Sequence, residues 1–303
     1  MKLKALLLII LAGMFWGTSP LFVSFLKPYG FTSLGMTAIR SIVSALVLGI
    51  FILIRGRTLF KASIKDLLLF FACGISYVGT ATFYFQSMQM TSAATGVVLM
   101  YTAPIYVTVF SVAFLGEKMN KMKFASIAAM LVGCVLVAGI VGGFKSSALG
   151  ILFGVLSGIS YAAYNIITKI AMRNGSDAFS LTFYAFLFAA VVSTAICDPI
   201  SVVESTAKAP TLLIPMLVLL GIVTCVSPYF LYTLAMRDLS AGTASSLGII
   251  EPMAATVFSA VFLSEIPDLF QIIGIVLILG ATVMLSFAES RVSATSDAKG
   301  DNL

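Results

Sequence analysis

The sequence is poor in charged residues and contains no histidine. Lys, Arg, Asp and Glu make up 10% of its 303 residues, whereas globular domains carry about 25%, so a soluble chain of this length could not cover its surface with polar groups. The missing histidine removes the commonest metal ligand and the commonest proton carrier near neutral pH. The four cysteines have no metal-ligand spacing and are expected to be small apolar filler. We therefore expect neither a cofactor nor a metal site.

Long apolar runs are what the sequence has instead. Apolar residues make up 60% of the chain, and its mean hydropathy is +1.11. About 20 such residues can cross a hydrocarbon core of roughly 30 Å as a helix. We identify ten runs, at 5–26, 34–54, 67–87, 92–115, 123–141, 149–171, 178–197, 211–235, 243–262 and 268–287. The first continues through Trp16 without a cleavage site, so we expect a span and not a signal peptide. The predicted fold class is an all-α integral membrane protein with ten transmembrane helices.

The basic residues are distributed unevenly between the two sides of the membrane. With the N-terminus inside, fourteen Lys and Arg residues fall on the cytoplasmic side, and only Lys27, Lys145 and Lys208 fall outside. This asymmetry predicts a multi-pass protein of the cytoplasmic membrane with both termini in the cytoplasm. The net charge of +6 therefore orients the chain in the bilayer and does not indicate a nucleic-acid partner.

The sequence repeats itself at a spacing of 148 residues. Residues 84–117 align without a gap with residues 232–265, and 14 of the 34 positions are identical. Because each half holds an odd number of spans, the second copy begins on the opposite side, and the repeats are inverted as in many secondary transporters. We predict a first five-span repeat at 1–144, a second at 145–288 and a disordered cytoplasmic tail at 289–303.

Several of these segments are similar to those of a known family. The "GMFWGTSP" segment of the first span, the paired "FLGE" and "FLSE" segments and the "EP" of the second copy resemble the EamA family of the drug/metabolite transporter superfamily. The resemblance covers nearly the whole chain. It implies the 5+5 layout and the gradient- or proton-coupled export of small metabolites or drugs. The second copy departs from the family pattern with "LSE" where "LGE" is expected, at a helix terminus.

The duplicated prolines and glutamates are candidate structural elements. Pro104 and Pro252 fall in the middle of equivalent spans, where each removes a backbone N–H. In a membrane such a break is tolerated beside protein or a water-filled cavity, so these prolines are either hinges of the two halves or static packing kinks. Glu117 and Glu265 fall at helix ends, where we expect them to cap or orient a helix and not to contact substrate.

Pairs of glycines occur at helical spacing near the start of each half. Gly13 and Gly17 belong to "GMFWG", and Gly154 and Gly158 belong to "GVLSG". Such pairs allow two helices to approach closely in a membrane. Packing is the expected role, and closely packed helices that slide would also suit a transporter.

Aromatic and polar side chains deep in the spans are candidates for substrate binding. The aromatic rings could stack on an aromatic or cationic substrate, and the amide and hydroxyl groups could donate or accept hydrogen bonds; each could instead serve packing or anchoring at the interface. The candidates are Trp16, Tyr84, Tyr101, Tyr161, Tyr232, Asn165 and Ser245.

Arg40 and Glu251 are the two ionisable side chains predicted to lie deep in the bilayer, where charge is costly and usually functional. Their predicted depths leave too large a gap for a direct bridge. Arg40 is therefore either a substrate contact or an anchor to backbone carbonyls or headgroups. Glu251 aligns with Ala103 of the first copy, so the duplicated scaffold does not require it. It is a proton carrier, a counter-charge for a cationic substrate, or a hydrogen-bond partner of the broken backbone.

The leading interpretation is a secondary transporter that exports small amino-acid-like or drug-like compounds by alternating access, with Glu251 coupling transport to protons. The alternatives are an exchanger, uniporter or importer of a cationic or aromatic metabolite, a channel, and a membrane-embedded enzyme. The missing histidine and the missing GxxxxGK[ST] motif argue against metalloproteases and ATP hydrolysis. The expected partners are the substrate, protons and lipid. A monomer suffices, because one chain holds both halves, and a homodimer is the alternative.

Overall fold

All regular secondary structure in the described part of the chain is helical. The computed structural model describes residues 2–56, 60–103, 105–106, 109–110, 121–137, 147–235, 250–281 and 283–284, and these ranges contain no β-strand. Pro104, Glu117, Ser245 and the predicted tail at 289–303 lie outside the described residues.

The first half contains six described helices. They are α1 (Lys2–Gly17), α2 (Ser19–Leu26) with a 3-10 turn at Lys27–Tyr29, α3 (Ser33–Arg55), α4 (Ile64–Met90), α5 (Ala93–Met100) and α6 (Lys121–Val137). The second half contains α7 (Ala148–Arg173), α8 (Ala178–Ile196), α9 (Pro199–Ala207), α10 (Pro210–Gly221), a π-helical segment (Ile222–Val226), α11 (Ser227–Ala235), α12 (Ile250–Leu263) and α13 (Leu269–Ala281).

Six described stretches are long and apolar enough to cross a membrane. They are Leu7–Tyr29, Ser33–Arg55, Ile64–Met90, Ala148–Thr168, Phe179–Ile196 and Pro210–Tyr232, and shorter apolar helices cover Phe124–Gly133, Met253–Leu263 and Leu269–Ala281. Each of these nine stretches overlaps a different predicted span. The one predicted span that they leave, the fourth (92–115), contains α5. The helices therefore follow the predicted order along the chain.

Large apolar side chains are exposed along the outer faces of these helices. Ile54 is 82% exposed, Val261 68% and Leu46 61%. Soluble monomers rarely expose extended apolar surface, whereas a bilayer supplies an apolar solvent for it. The exposed faces are therefore those expected to contact lipid.

Polar side chains cap the N-terminal ends of several helices. Thr32 accepts a hydrogen bond from the Gly35 N–H at the start of α3, and Asp177 caps α8. Ser63 and Asp66 form a reciprocal capping box at the start of α4. These caps satisfy backbone donors that have no partner inside their own helix.

The first span is interrupted near its middle. Pro20 lacks the N–H that would bond to the carbonyl of Trp16 four residues earlier, so α1 ends at Gly17 and α2 begins at Ser19. The Thr18 hydroxyl donates to the Phe15 carbonyl over 2.7 Å at this break. The interruption places Trp16 at the end of α1.

The predicted glycine contacts join the two halves crosswise. A Cβ on Gly17 of α1 would lie 2.6 Å from the Ala254 Cβ of α12, and one on Gly13 would lie 3.0 Å from the Ile250 Cβ. In the other half, a Cβ on Gly154 of α7 would lie 2.6 Å from Leu99 Cδ1 of α5. The first span of each half thus packs closely on the fourth span of the other half, as an inverted repeat requires.

Candidate functional site

Glu251 and Tyr101 meet where the fourth spans of the two copies touch. The Tyr101 hydroxyl donates a hydrogen bond of 2.8 Å to Glu251 Oε2, and both residues are only 8% exposed. Tyr101 follows the end of α5 at Met100 and forms a turn with Thr102, so the fourth span is interrupted close to Pro104. Glu251 lies in α12 immediately before Pro252. The contact therefore joins the two segments that the repeat makes equivalent.

The tyrosine hydroxyl of Tyr84 is buried beside this pair without a hydrogen-bond partner among the described residues. Tyr84 is 4% exposed, and it shares an apolar cluster with Tyr101 and Ala255 against which Tyr161 packs. Tyr84, Tyr161 and Arg40 lie within electrostatic reach of Glu251. A buried hydroxyl that makes no bond loses its interaction with water without replacement, so this position suits a polar group of a ligand.

The surroundings of Glu251 leave its charge incompletely compensated. An ionised carboxylate can accept about four hydrogen bonds, and one donor, Tyr101, is described. Among the described residues no Lys or Arg contacts it, because Arg40 donates to other groups. Burying a carboxylate without a cation costs several kcal/mol in practice. The site therefore favours a proton or a cationic group beside Glu251.

Arg40 donates its hydrogen bonds to the interrupted eighth span. Its Nε lies 3.0 Å from Cys225 Sγ, and its Nη2 lies 3.0 Å from the Thr224 carbonyl oxygen. The guanidinium also lies over the rings of Tyr77 and Phe85, at 5.6 and 5.2 Å from their centroids. Of the two roles predicted for Arg40, an anchor to backbone carbonyls is the one seen here, and a substrate contact stays a prediction.

Tyr77 of the third span and Cys225 of the eighth span also touch. The Tyr77 hydroxyl lies 2.9 Å from Cys225 Sγ, and the two residues are 148 positions apart, which is the spacing of the repeat. Cys225, expected to be apolar filler, is instead a polar contact of Arg40 and Tyr77.

Trp16 lies in a group of aromatic rings formed by α1 and α11. Its ring centroid is 5.4 Å from that of Tyr229 and 5.9 Å from that of Tyr232. Trp16 is the only tryptophan of the chain. The predicted candidates Trp16 and Tyr232 are therefore neighbours, and Tyr161 lies within electrostatic range of both Tyr232 and Glu251.

The remaining predicted residues have different surroundings. Asn165 is exposed on α7, and its amide donates to the Tyr161 carbonyl of its own helix over 2.8 Å. Glu265 accepts a hydrogen bond of 2.9 Å from the Ala93 N–H at the start of α5, which agrees with the expected capping role. Pro252 belongs to α12, and its hinge role stays a prediction, as does a substrate contact for Asn165.

A shallow polar cleft of about 250 Å³ lies at the start of α4 and α8, beside Lys61, Asp66 and Ser176. Its polar groups already bind one another: Ser176 donates to Asp66 Oδ1 over 2.7 Å, and Asp66 caps α4. These contacts explain the cleft as a helix-capping region.

The profile of the EamA-like transporter family matches residues 3–139 and again residues 148–287. The chain belongs to this family. The predicted family and the predicted class, an all-α membrane protein of two inverted five-helix repeats, are thereby confirmed. One match falls in each predicted repeat, while the exact boundaries at 144 and 288 stay a prediction. Membership implies a small-molecule substrate and a lipid bilayer around the protein.

This EamA-family chain is similar to transporters of two bacteria. It is 28% identical over 275 residues to the uncharacterized transporter YxxF of Bacillus subtilis, covering 89% of this chain and 86% of the relative. It is 25% identical over 250 residues to the pseudopaline exporter CntI of Pseudomonas aeruginosa, covering 82% and 84%. A solved protein crystal structure has the same fold, with a TM-score of 0.61 at 18% identity over 96% of this chain and 99% of that one.

The sequence reasoning missed the partners of Arg40. Thr224 and Cys225 are inconspicuous in an apolar run, and nothing in their own identity indicates a bond to a residue of the second span. The available signal was Pro228, four residues after Thr224. A proline at that spacing leaves the Thr224 carbonyl without its helical donor, and a buried carbonyl in this state needs a donor from elsewhere.

Proposed function

We propose that this protein is a secondary transporter that exports small amino-acid-like or drug-like compounds across the cytoplasmic membrane by alternating access. The observation that carries the proposal is the hydrogen bond from Tyr101 to Glu251, between equivalent segments of the two inverted copies. Family membership supports transport, and similarity to the pseudopaline exporter CntI supports the direction.

The repeat supplies a reason why breaking this bond would accompany transport. In an inverted-repeat transporter the two copies exchange conformations. The positions equivalent to Tyr101 and Glu251 are Ile249 and Ala103, which cannot form the same hydrogen bond. The two access states would therefore differ by this bond, and a proton or cation that binds Glu251 would shift their populations.

The candidate side chains are suited to different chemical groups of a substrate. The carboxylate of Glu251 and the hydroxyl of Tyr84 are suited to a cationic or hydrogen-bonding group, whereas the rings of Trp16 and Tyr232 are suited to an aromatic or cationic one.

Pro252, next to Glu251, would act as a hinge. Pro252→Ala should then lower the transport rate more than it weakens binding, and equal effects on both would assign the proline to packing.

The proposed orientation has both termini in the cytoplasm. Contacts at one end of the bundle support a common outer side: the Lys27 ammonium donates to the Gln89 carbonyl, and that of Lys208 donates to the Tyr29 carbonyl. Glu265 and Ala93 meet at the same side. A cysteine introduced at Lys208 should react with an impermeant reagent in intact cells, and one at Lys121 should not. The reverse result would overturn this orientation.

Reconstitution in liposomes tests the function. Binding is first screened by thermal shift with phenylalanine, lysine and the cation tetraphenylphosphonium, because a ligand stabilises the state that it binds. A compound that binds should then show saturable flux that increases with an imposed pH gradient. Saturable flux without gradient dependence would favour a uniporter or exchanger, and ohmic current would identify a channel. Either result would reject proton-coupled export.

A further inference from the structure

The eighth span is interrupted by a π-helical turn, next to a proline that removes a backbone donor. It consists of α10, the π-helical segment Ile222–Val226 and α11, and the Ser227 N–H bonds to the Ile222 carbonyl five residues back. Pro228, the second residue of α11, has no N–H for the Thr224 carbonyl. Single π-helical turns within α-helices are frequent at functional sites.

Arg40 of α3 donates to that carbonyl. Its Nη2 lies 3.0 Å from the Thr224 oxygen, and its Nε lies 3.0 Å from Sγ of the next residue, Cys225. The guanidinium is a planar fork, so it can donate in two directions from one fixed position. With 6% exposure and aromatic rings of Tyr77 and Phe85 beside it, Arg40 is held in place.

The segment after the break carries two of the rings that contact Trp16. Tyr229 follows Pro228 directly and Tyr232 lies one turn later, and both pack on Trp16 at 5.4 and 5.9 Å. The angle at which α11 leaves the π-helical segment therefore sets the position of these rings. Because Arg40 binds the last part of that segment, it can fix this angle from another helix.

We propose that Arg40 is a positioning residue: it replaces the N–H that Pro228 lacks, holds the break in the eighth span, and thereby places Tyr229 and Tyr232 against Trp16. The relevance of these rings to substrate rests on the proposed function. The positioning itself does not, and it is tested by measurements that need no substrate.

The repeat supplies a rescue variant. Thr80 of α4 is the equivalent of Pro228, and its side chain donates to the carbonyl of Ser76, the equivalent of Thr224. Pro228→Thr therefore gives the eighth span the residue that the first copy uses, and restores a donor to Thr224. If Arg40 supplies the missing donor, the damage caused by Arg40→Met should be smaller in the Pro228→Thr background.

The experiment measures thermal unfolding and Trp16 fluorescence of the full-length protein in detergent. We expect Arg40→Met to lower Tm by on the order of 5 °C and to shift the Trp16 emission to longer wavelength. Adding Pro228→Thr should recover at least half of both changes. Arg40→Lys keeps the charge but lacks the fork, so it should shift the emission as well. Arg55→Gln, at the exposed end of the same helix, should change neither signal.

The outcomes separate positioning from other roles. Additive effects of Arg40→Met and Pro228→Thr, or a Lys variant with unchanged signals, would overturn the proposal. If Arg40→Met does not fold, the pair Arg40→Lys and Arg40→Lys with Pro228→Thr decides by the same criterion. Absence of transport by the wild-type protein would reject the proposed function and leave the result on Arg40 standing.

Discussion

The third and eighth spans are equivalent in the repeat, yet one is a single α-helix and the other contains a π-helical turn. In α4, a helix of 27 residues, the Thr80 hydroxyl donates to the Ser76 carbonyl over 2.8 Å. In the eighth span Thr224 and Pro228 occupy the same two positions, and Arg40 is the donor. At this point Pro228 removes a donor that the third span keeps, and a side chain of α3 supplies one instead.

The fourth spans differ in a similar way. Ala103 and Glu251 are equivalent, and both are buried, at 2% and 8% exposure. Only the second copy carries a carboxylate, and it receives a hydrogen bond from Tyr101 of the first. Residues present in both copies, such as the close-packed glycines, build the common scaffold. Residues present in one copy introduce chemistry that the scaffold does not need.

Removal of the carboxylate should produce the largest effect. Because Ala103 serves the same place in the other copy, we expect Glu251→Gln to fold and to bind ligand. Gradient-driven flux should fall about a hundredfold, which corresponds to about 2.7 kcal/mol. Flux into proteoliposomes is the measurement, and Glu204→Gln, exposed on α9, is the control. If the variant shows normal flux at every pH from roughly 5 to 8, the role of Glu251 is structural.

The crosswise glycine contacts should be sensitive to one methyl group. A Cβ on Gly17 would meet Ala254 Cβ at 2.6 Å and the Ala255 backbone nitrogen at 2.9 Å, so Gly17→Ala should cost about 1–3 kcal/mol. Gly154→Ala should cost a similar amount, because its Cβ would lie 2.7 Å from Leu99 Cβ and 2.9 Å from Ser87 Oγ. Thermal unfolding measures both. Gly280→Ala is the control, with nothing within 4 Å of its added Cβ, and an equal loss there would refute the packing argument.

Loss of the hydrogen bond between the copies should have a moderate effect. Tyr101→Phe keeps the ring and removes the hydrogen bond to Glu251. Such a bond contributes about 1 kcal/mol, or about a fivefold change in a rate or equilibrium constant. We expect flux to change by that factor in the wild-type background and to change little in the Glu251→Gln background. The double-mutant cycle measures this coupling. Full additivity would show that Tyr101 acts independently of Glu251.

The capping glutamate should have the smallest effect. Glu265→Gln weakens the acceptor for the Ala93 N–H and should cost about 1 kcal/mol, or a decrease in Tm of about 2–4 °C. Transport per folded molecule should be unchanged. A large loss of transport at unchanged Tm would instead assign Glu265 a functional role.

The spans, their order and their inverted pairing were accessible from the sequence because length, hydropathy and repeat spacing are local or periodic signals. The partners of the polar groups were not. Arg40 and Thr224 lie on different helices of different halves, and only packing brings them within 3.0 Å. The bond of the Asn165 amide to the carbonyl one turn back was likewise not predicted from the sequence. Such choices depend on tertiary geometry that residue identity does not encode.

The contact between Gly13 and Ile250 also has a consequence for the synthesis of the chain. At about 5–20 residues per second, α1 enters the membrane on the order of 10 to 50 seconds before the ribosome has made its partner helix. During that interval the glycine face of α1 has no partner helix, and it packs against lipid or against the membrane-insertion machinery. A nascent chain that stops short of α12 would retain this open face, so the packing of the first helix is completed only when the last fifth of the protein is translated.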